Sequence, residues 1–568
     1  MPTDEGWTWQ AIDDFSPGIY TSPGTGHPLG AATEDTYRCV AAENGALIPG
    51  PKVTYAIDHA PFEDDPEDVT TEDNKYWIGG LFANPAAVYG GLGNPYPGAD
   101  QNNTELFIGF EWYTATDNRR VICRYRRNYE DPGERWQTIV NHTSGAVVND
   151  YTRPNRFFAA SGRSNPSDPT IAGQPVMAFT YNGGTTAVVF PDPTDPTTNS
   201  TDPLPEPTGG ILYMLTGHQG RFVCTPFTTY ADGSGQVSVS NEALYWTPVQ
   251  DHTDIDPNLS SNYYNVIAGF ENPTGYADIK SLTADELFLL KINGGALILR
   301  GSLNDPLAVT LPYVQSPGIN MCTGAVSPAG YVYVVKGGGV WVWAGGDNAE
   351  YVSPQMDDGF WQPTTDFYED DTPATGSYYW HYADCHAWQE WVVLPSSYVW
   401  DWRRNAYFRI AERDLFFYTS SPDKRFLYGA RARFDHESRF VIWEFDRLRG
   451  ASSYQWTSQF IPGTIQRSTN VRMLEVVASG YGTVTVTPTV SRPDDSEATP
   501  WKSHVGEVAS DEPVVIGQFA CSVQGTHLQF RINCEASDGS EGFDAGPAPT
   551  VYALRWATSE GAHSTIGR

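Results

Sequence analysis

The sequence predicts an all-β protein: a β-propeller with inserted loops or subdomains, followed by a C-terminal β-sandwich. Its 568 residues include 54 Gly, 42 Pro and 13% aromatic residues, a composition typical of strands and tight turns. No long stretch has the apolar spacing and the two caps of a helix. A hairpin pattern also occurs twice in succession. The length exceeds what a single core supports, so about two to four folded units are expected.

The repeated hairpin lies in the middle of the chain. Residues 287–301 form two apolar runs joined at Asn293-Gly294, and residues 331–345 repeat the design around three glycines, with Lys291 and Lys336 45 residues apart. Asn-Gly between apolar runs is a strong hairpin signal, and β-units recurring every 40 to 50 residues or so are typical of propeller blades. Two unrelated hairpins in a large β-sandwich are the alternative. Further apolar pairs at 176–190, 211–224, 391–402 and 426–445 favour blades, with loops inserted between them.

We divide the chain into four predicted segments. They are an N-terminal arm with the first strands (1–60), propeller blades with inserted loops (61–260), central propeller blades (261–458) and the C-terminal β-sandwich (459–568). The second segment contains a Pro-, Asp- and Thr-rich loop at 191–210, whose composition indicates an exposed connector. The last segment shows five short alternating strands, a pattern typical of a sandwich.

The net charge of the chain argues against one class of function, the binding of duplex DNA. The formal net charge is -33, whereas a protein that grips duplex DNA needs a basic stripe that displaces counterions. Such acidity suits a wall past which nucleic acid moves without adhering. No run of 18 apolar residues exists, so no membrane-spanning segment is expected. The acidic N-terminus lacks a secretory signal pattern, and the seven scattered cysteines indicate a reducing compartment, with Cys521 and Cys534 the one pair worth testing for a bridge.

Three motifs resemble a known family. The opening Asp14-Phe15-Ser16-Pro17-Gly18-Ile19, the strand pair ending Gly45-Ala46-Leu47-Ile48-Pro49 and the segment 279–290 occur in that order, ahead of the sandwich. Together they are similar to tail β-propeller proteins of tailed bacteriophages. That group includes the tail nozzle, or tail tubular protein B type, and minor tail proteins of actinobacteriophages.

The resemblance implies a structural protein of the virion tail, assembled in the host cytoplasm and lacking enzymatic activity and cofactors. It implies a homo-oligomeric ring, acting as a nozzle, hub or minor tail protein, that forms part of an acidic DNA-ejection channel. DNA would pass through it transiently and without sequence specificity. Other tail proteins, such as an adaptor, a fibre or a hub, would dock on its loops.

Two groups of charged residues are candidate contact sites. Five arginines within nine residues are expected to pair with carboxylates of a neighbouring subunit or loop, a phosphate contact being the alternative; they are Arg119, Arg120, Arg124, Arg126 and Arg127. Two acidic loops are expected to line a lumen or remain solvated, and their representative residues are Asp64, Asp65, Asp357, Asp358, Asp370 and Asp371. Calcium binding by the first loop is the weaker interpretation, since its spacing fits no EF-hand.

The sequence gives no catalytic or metal site. In Asp384-Cys385-His386 the thiol and the imidazole are adjacent, and neighbours on a strand point to opposite faces. His381 and His386 lack a third ligand at a suitable spacing. The enzymatic alternative is a carbohydrate-binding or glycan-degrading propeller, such as a tail-borne depolymerase, because 18 tryptophans could stack on sugars. A cellular scaffold propeller is the third hypothesis.

Overall fold

A computed structural model describes most of the strands and the turns that join several of them. The described residues are 8–20, 33–57, 75–84, 105–113, 118–126, 136–144, 157–163, 175–181, 185–189, 201–203, 211–227, 243–247, 263–265, 276–291, 296–304, 307–311, 324–335, 339–346, 348–356, 384–411, 415–421, 423–431, 433–435, 442–459, 461–462, 469–491, 499–525, 527–537 and 546–560. Within them the chain is almost wholly β, and no helix is long and apolar enough to cross a bilayer.

Five strands precede the propeller: β1 (Thr8–Ile12), β2 (Thr33–Tyr37), β3 (Cys39–Ala41), β4 (Leu47–Pro49) and β5 (Pro51–Ile57). Blades one to three comprise β6 (Lys75–Asn84), β7 (Glu105–Tyr113), β8 (Asn118–Arg126) and β9 (Trp136–Ser144); β10 (Phe157–Arg163), β11 (Pro175–Tyr181), β12 (Thr185–Val189) and β13 (Thr201–Pro203); and β14 (Ile211–His218), β15 (Arg221–Phe227), β16 (Ala243–Trp246) and β17 (Tyr263–Asn265).

Blades four to six comprise β18 (Tyr276–Thr283), β19 (Glu286–Lys291), β20 (Ala296–Arg300) and β21 (Leu307–Leu311); β22 (Ala325–Ser327), β23 (Gly330–Val335), β24 (Gly339–Trp343) and β25 (Glu350–Tyr351); and β26 (His386–Trp388), β27 (Trp391–Leu394), β28 (Tyr398–Asp401) and β29 (Ala406–Arg409). A short 3₁₀ helix at Pro395–Ser397 joins β27 to β28. The next strands are β30 (Leu415–Ser420), β31 (Phe426–Arg431), β32 (Arg433–Asp435) and β33 (Ile442–Gly450).

The blades form a closed ring. The first strands of successive blades, β6, β10, β14, β18, β22, β26 and β30, contact one another in order, and β30 contacts β6. Blade seven has the order β30-β31-β33-β5, so its outer strand comes from the N-terminal segment, while β32 pairs with β6 of blade one. The described residues therefore make a seven-bladed propeller whose last blade is completed by a strand from the start of the chain.

The predicted hairpin repeat is confirmed as the centres of two consecutive blades. β19 and β20 pair with Leu287 opposite Leu299, and β23 and β24 pair with Tyr331 opposite Trp343. Phe288 of blade four stacks on Trp343 of blade five with ring centroids 5.1 Å apart. Each sheet thus packs its face on the next, as the propeller prediction requires.

The remaining strands build the sandwich: β34 (Ser453–Ser458), β35 (Ile461–Pro462), β36 (Thr469–Ser491), β37 (Thr499–Pro500), β38 (His504–Gly525), β39 (His527–Ala536) and β40 (Thr550–Glu560). β1 to β4 join the same 11-stranded sheet: β1 pairs with β40, and β2 pairs with β34. The predicted segment 1–60 thus supplies strands to both the sandwich and blade seven.

The sandwich strands are longer than the sequence pattern suggested. β36 has 23 residues and β38 has 22, where short strands were expected. Within β36, Gly482 has φ +152°, and a Cβ there would lie 2.0 Å from the Glu535 carbonyl oxygen. Glycine lets β36 bend at this point, so the strand continues from a partner in β40 to a partner in β39.

The opening motif fastens the sandwich to blade six. Phe15 is fully buried and meets Trp456 of β34 edge to face at 5.0 Å. Gly18 has φ +71°, a Cβ there would lie 2.6 Å from the Tyr407 carbonyl oxygen, and the next amide, of Ile19, donates to that same oxygen at 2.8 Å. One continuous hydrophobic cluster accordingly spans the sandwich and blades six and seven.

Candidate functional site

The structure places only part of the predicted contact residues. Four of the arginines lie on β8 of blade one, between β7 and β9: Arg119, Arg120, Arg124 and Arg126. The others lie outside the described residues: Arg127, Asp64, Asp65, Asp357, Asp358, Asp370 and Asp371. The expectations of intersubunit arginines and lumen acids stay predictions.

The Asp384-Cys385-His386 segment forms part of a joint between blades. Cys385 is buried, and the His386 Nε2 atom lies 2.8 Å from the Ser420 hydroxyl oxygen of blade seven. Burial, reinforced by Lys424 and Lys280, lowers the pKa of His386 to about 3. The imidazole is therefore neutral at ordinary pH and serves as a hydrogen-bonding group between inner strands.

A second histidine repeats this arrangement. The His218 Nδ1 atom in blade three lies 2.8 Å from the Ser281 hydroxyl oxygen in blade four, and burial lowers the pKa of His218. Both histidines join one inner strand to the next. In the described part of the chain, no group of three or more His, Cys, Asp or Glu side chains is placed to hold a metal ion.

Two pairs of tryptophans have i, i+2 spacing in the sequence, Trp341 with Trp343 and Trp400 with Trp402, and they pack in or against the hydrophobic clusters of the blades. Trp343 and Trp400 are buried, and the Trp400 indole nitrogen donates to the Asn405 side-chain oxygen at 2.9 Å. Trp341 packs on Tyr351 with centroids 5.3 Å apart. Their contacts explain the i, i+2 spacing as packing between strands.

A groove of about 610 Å³ lies where the sandwich meets blades six and seven. Its apolar wall comes from the N-terminal strands and includes Val40, Ile48, Pro49 and Pro51. Its charged walls come from the blades and the β3–β4 turn: Glu43, Glu390, Asp401, Arg403, Arg404, Arg447 and Arg449. We call this cavity the junction groove.

Arg404 is fixed within the junction groove. Its Nη1 atom donates to the Ala41 carbonyl oxygen at 2.9 Å and to Asp401 Oδ2 at 3.2 Å. Asp401 also accepts from the Arg403 amide at 3.1 Å, which closes the turn after β28. This arginine therefore ties blade six to β3 and has its charge balanced.

Arg447 is held on one side only. It pairs with Glu390, and its guanidinium lies 4.3 Å from the centre of the Trp391 ring. Burial lowers the pKa of Arg447, and the buried Nη1 atom has no hydrogen-bond partner among the described residues. Because this nitrogen is covered by the protein, an acceptor from outside can meet only the exposed fifth of the Arg447 side chain.

Arg449 is more exposed than Arg404 and Arg447. Its side chain is 64% exposed, and its Nε atom lies 3.7 Å from Asp446 Oδ2. Arg425 already holds that carboxylate through two bonds, of 3.2 and 2.9 Å. The Arg449 charge is therefore only weakly balanced by the protein.

Comparisons with known proteins do not assign the chain to a family. No protein-family model and no curated protein matches it. A solved structure of YCF48 bound to D1 peptide aligns over 60% of this chain and 88% of its own, with 11% identity and a TM-score of 0.31. A GH43_12 protein from a capybara gut metagenome aligns over 90% and 100%, with 11% identity and a TM-score of 0.13. Likenesses this weak carry no argument about function.

Sequence reasoning missed the junction groove, although a signal was present. Arg403-Arg404 and the alternating Arg447 and Arg449 each follow a strand that the sequence predicts. Alternation places Arg447 and Arg449 on one face. What the sequence does not show is that these two segments, more than 40 residues apart, face the same N-terminal strands.

Proposed function

We propose that this chain is a structural component of a bacteriophage tail, a nozzle, hub or minor tail protein. It would work in a homo-oligomeric ring, without catalysis, in the tail of the virion. Its acidic surface would form part of the DNA-ejection channel, and its loops would serve as a platform for adaptor or fibre proteins.

The observation that supports assembly is the open edge of the sandwich. Within the described residues β38 pairs only with β36, so one side of a 22-residue strand offers unpaired backbone groups. Most of the exposed large hydrophobic side chains in the described part of the chain lie on or beside this ribbon: Tyr481, Trp501, Val505, Val514 and Val515. A long edge of this kind favours pairing with another chain.

Charge indicates which surface of a second copy would contact the β38 ribbon. β38 carries Glu507, Asp511 and Glu512 and no lysine or arginine. The arginine-rich β8 of blade one has the opposite charge. β8 is already paired with β7 and β9, so the β38 ribbon of one copy would contact the β8 region of the next by charge and not as an added strand. Such a contact is head to tail, and head-to-tail contacts close into a ring when the rotation permits.

The net charge of -33 supports the channel role. DNA passing a surface of its own sign meets no counterion-releasing contacts that would hold it. A propeller flanked by β1 and β40, which pair with each other in the sandwich, suits a wall that must not deform during passage.

The test is the mass of the purified protein by light scattering over a range of concentrations, with negative-stain imaging, alone and with a candidate adaptor. Rings with an open centre, and the protein's presence in purified particles, are the expected results. A monomer under every condition that is also absent from particles contradicts the proposal. Turnover of a glycan, lost on changing a single carboxylate, would instead support the depolymerase alternative.

A further inference from the structure

The junction groove has more arginine charge than its surroundings can balance. Four arginines and three carboxylates line it, in a chain with 35 basic and 68 acidic residues. Arg404 is fully engaged with Asp401 and Ala41. The groove is therefore a local exception to the acidic character of the protein.

Two arginines of the junction groove, Arg447 and Arg449, are open to a ligand. The side chain of Arg447 is 20% exposed, and that of Arg449 is 64% exposed beside a carboxylate that Arg425 already holds. Glu390 and Trp391 hold the Arg447 guanidinium in place, so the arginine is pre-oriented, although its Nη1 atom is buried. Planar guanidinium groups held in this way bind carboxylates and phosphates through paired hydrogen bonds.

The carboxylates of the groove disfavour a polyanion. Glu43, Glu390 and Asp401 line the same cavity and would repel a nucleic-acid backbone, which carries a charge on every residue. A single carboxylate adds one charge and meets two arginines. The apolar wall formed by Val40, Ile48 and Pro51 offers space for an aliphatic side chain next to it.

We propose that the junction groove binds a short acidic peptide segment of a partner protein, with one carboxylate on Arg447 and Arg449 and a neighbouring aliphatic side chain on the apolar wall. The groove volume of about 610 Å³ lies within the range of sites that hold small ligands or a few residues of peptide. This inference goes beyond the proposed tail function, because the groove would bind such a segment wherever the protein works.

The test uses the full chain and a fluorescein-labelled glycine- and serine-rich peptide that contains one glutamate next to one leucine, and it measures fluorescence anisotropy. Saturable binding that weakens with added salt is expected. Arg449→Glu is expected to weaken it at least tenfold, and Arg403→Glu less, because only the first removes a direct partner. Arg300→Glu is the matched control: Arg300 is an exposed arginine paired with Glu286 on blade four, outside the groove, and its change should leave binding unaltered.

Three results would overturn the proposal. They are an absence of saturable binding, equal binding of a peptide with lysine in place of glutamate, and binding undiminished in Arg449→Glu. Tighter binding of inorganic phosphate or a single-stranded oligonucleotide than of the peptide would overturn the carboxylate assignment. Because Arg449 is exposed, a thermal melt matching that of the parent is expected to accompany the loss of binding. None of these outcomes depends on whether the protein forms rings.

Discussion

The sandwich has two contrasting sides. Where it meets blades six and seven, it is closed by Phe15 against Trp456, by Gly18 against Tyr407 and by a shared hydrophobic cluster. Along β38, the described backbone is paired on one side and apolar side chains are exposed. The first side fixes one domain on another within a single chain. The second has the features of a surface that another chain completes, so changes on the two sides should affect different properties.

The largest effect is expected from Phe15→Ala on the closed side. Removing a fully buried aromatic ring leaves a cavity against Trp456 and should lower the free energy of unfolding by about 4 kcal/mol. Denaturant unfolding followed by tryptophan fluorescence measures it. Trp9→Ala, which removes a partly exposed ring from β1, is the control and should lose less than about 1.5 kcal/mol. Equal losses in the two variants would contradict the role assigned to Phe15.

The next effect is expected from Gly18→Ala. A Cβ at φ +71° would be strained, and it would lie 2.6 Å from backbone oxygen of Tyr407, so the arm must shift. We expect a loss of about 3 kcal/mol. Gly546→Ala is the matched control, since nothing lies within 4 Å of its added Cβ. A Gly18→Ala protein as stable as this control would show that the arm does not fasten blade six.

The third prediction concerns the joint between blades six and seven, the two blades that pack against the sandwich. The pKa of His386 is lowered to about 3 by burial, with Lys424 and Lys280 contributing, against about 6.5 in an unfolded chain. Between about pH 6.5 and 3 the His386 imidazole binds a proton in the unfolded state but not in the folded state. The stability that comes from keeping His386 neutral is therefore complete above about pH 6.5 and is lost as the pH falls towards about 3. The slope should reach at most about 1.4 kcal/mol per pH unit.

His386→Gln keeps a donor for Ser420 and cannot titrate, so it should flatten the pH dependence of the unfolding free energy between pH 6 and about 4. His218→Asn, in the joint between blades three and four, is the comparison, because Asn places its amide where the His218 Nδ1 atom bonds to Ser281. An unchanged slope in His386→Gln would show that other groups govern the acid sensitivity.

Local sequence signals predicted the parts of the fold that depend on neighbouring residues. Apolar runs around Asn293-Gly294 predicted the centre of blade four, and alternation predicted the sandwich strands. The pairing of Thr36 with Trp456 joins residues more than 400 positions apart and has no local signal. Val53 and Phe445, almost 400 positions apart, pair to complete blade seven and likewise have no local signal. The junction groove depends on such long-range pairing, so its arginines could be noticed in the sequence but not grouped.

The smallest effect on stability, and the most informative one, is expected at the open edge. Val514→Ser together with Val515→Ser removes exposed apolar surface from β38 and leaves no enclosed cavity, since the two residues are 38% and 51% exposed. The free energy of unfolding should change by less than about 0.5 kcal/mol. The mass in solution should nevertheless fall towards that of a monomer, because the edge would lose the apolar contacts that accompany strand pairing. Phe15→Ala should unfold more easily and still associate through β38. The double valine variant should stay folded and lose association. If the valine variant assembles as the parent does, β38 is not the assembly surface, and the arginine-rich β8 region would have to meet a different partner.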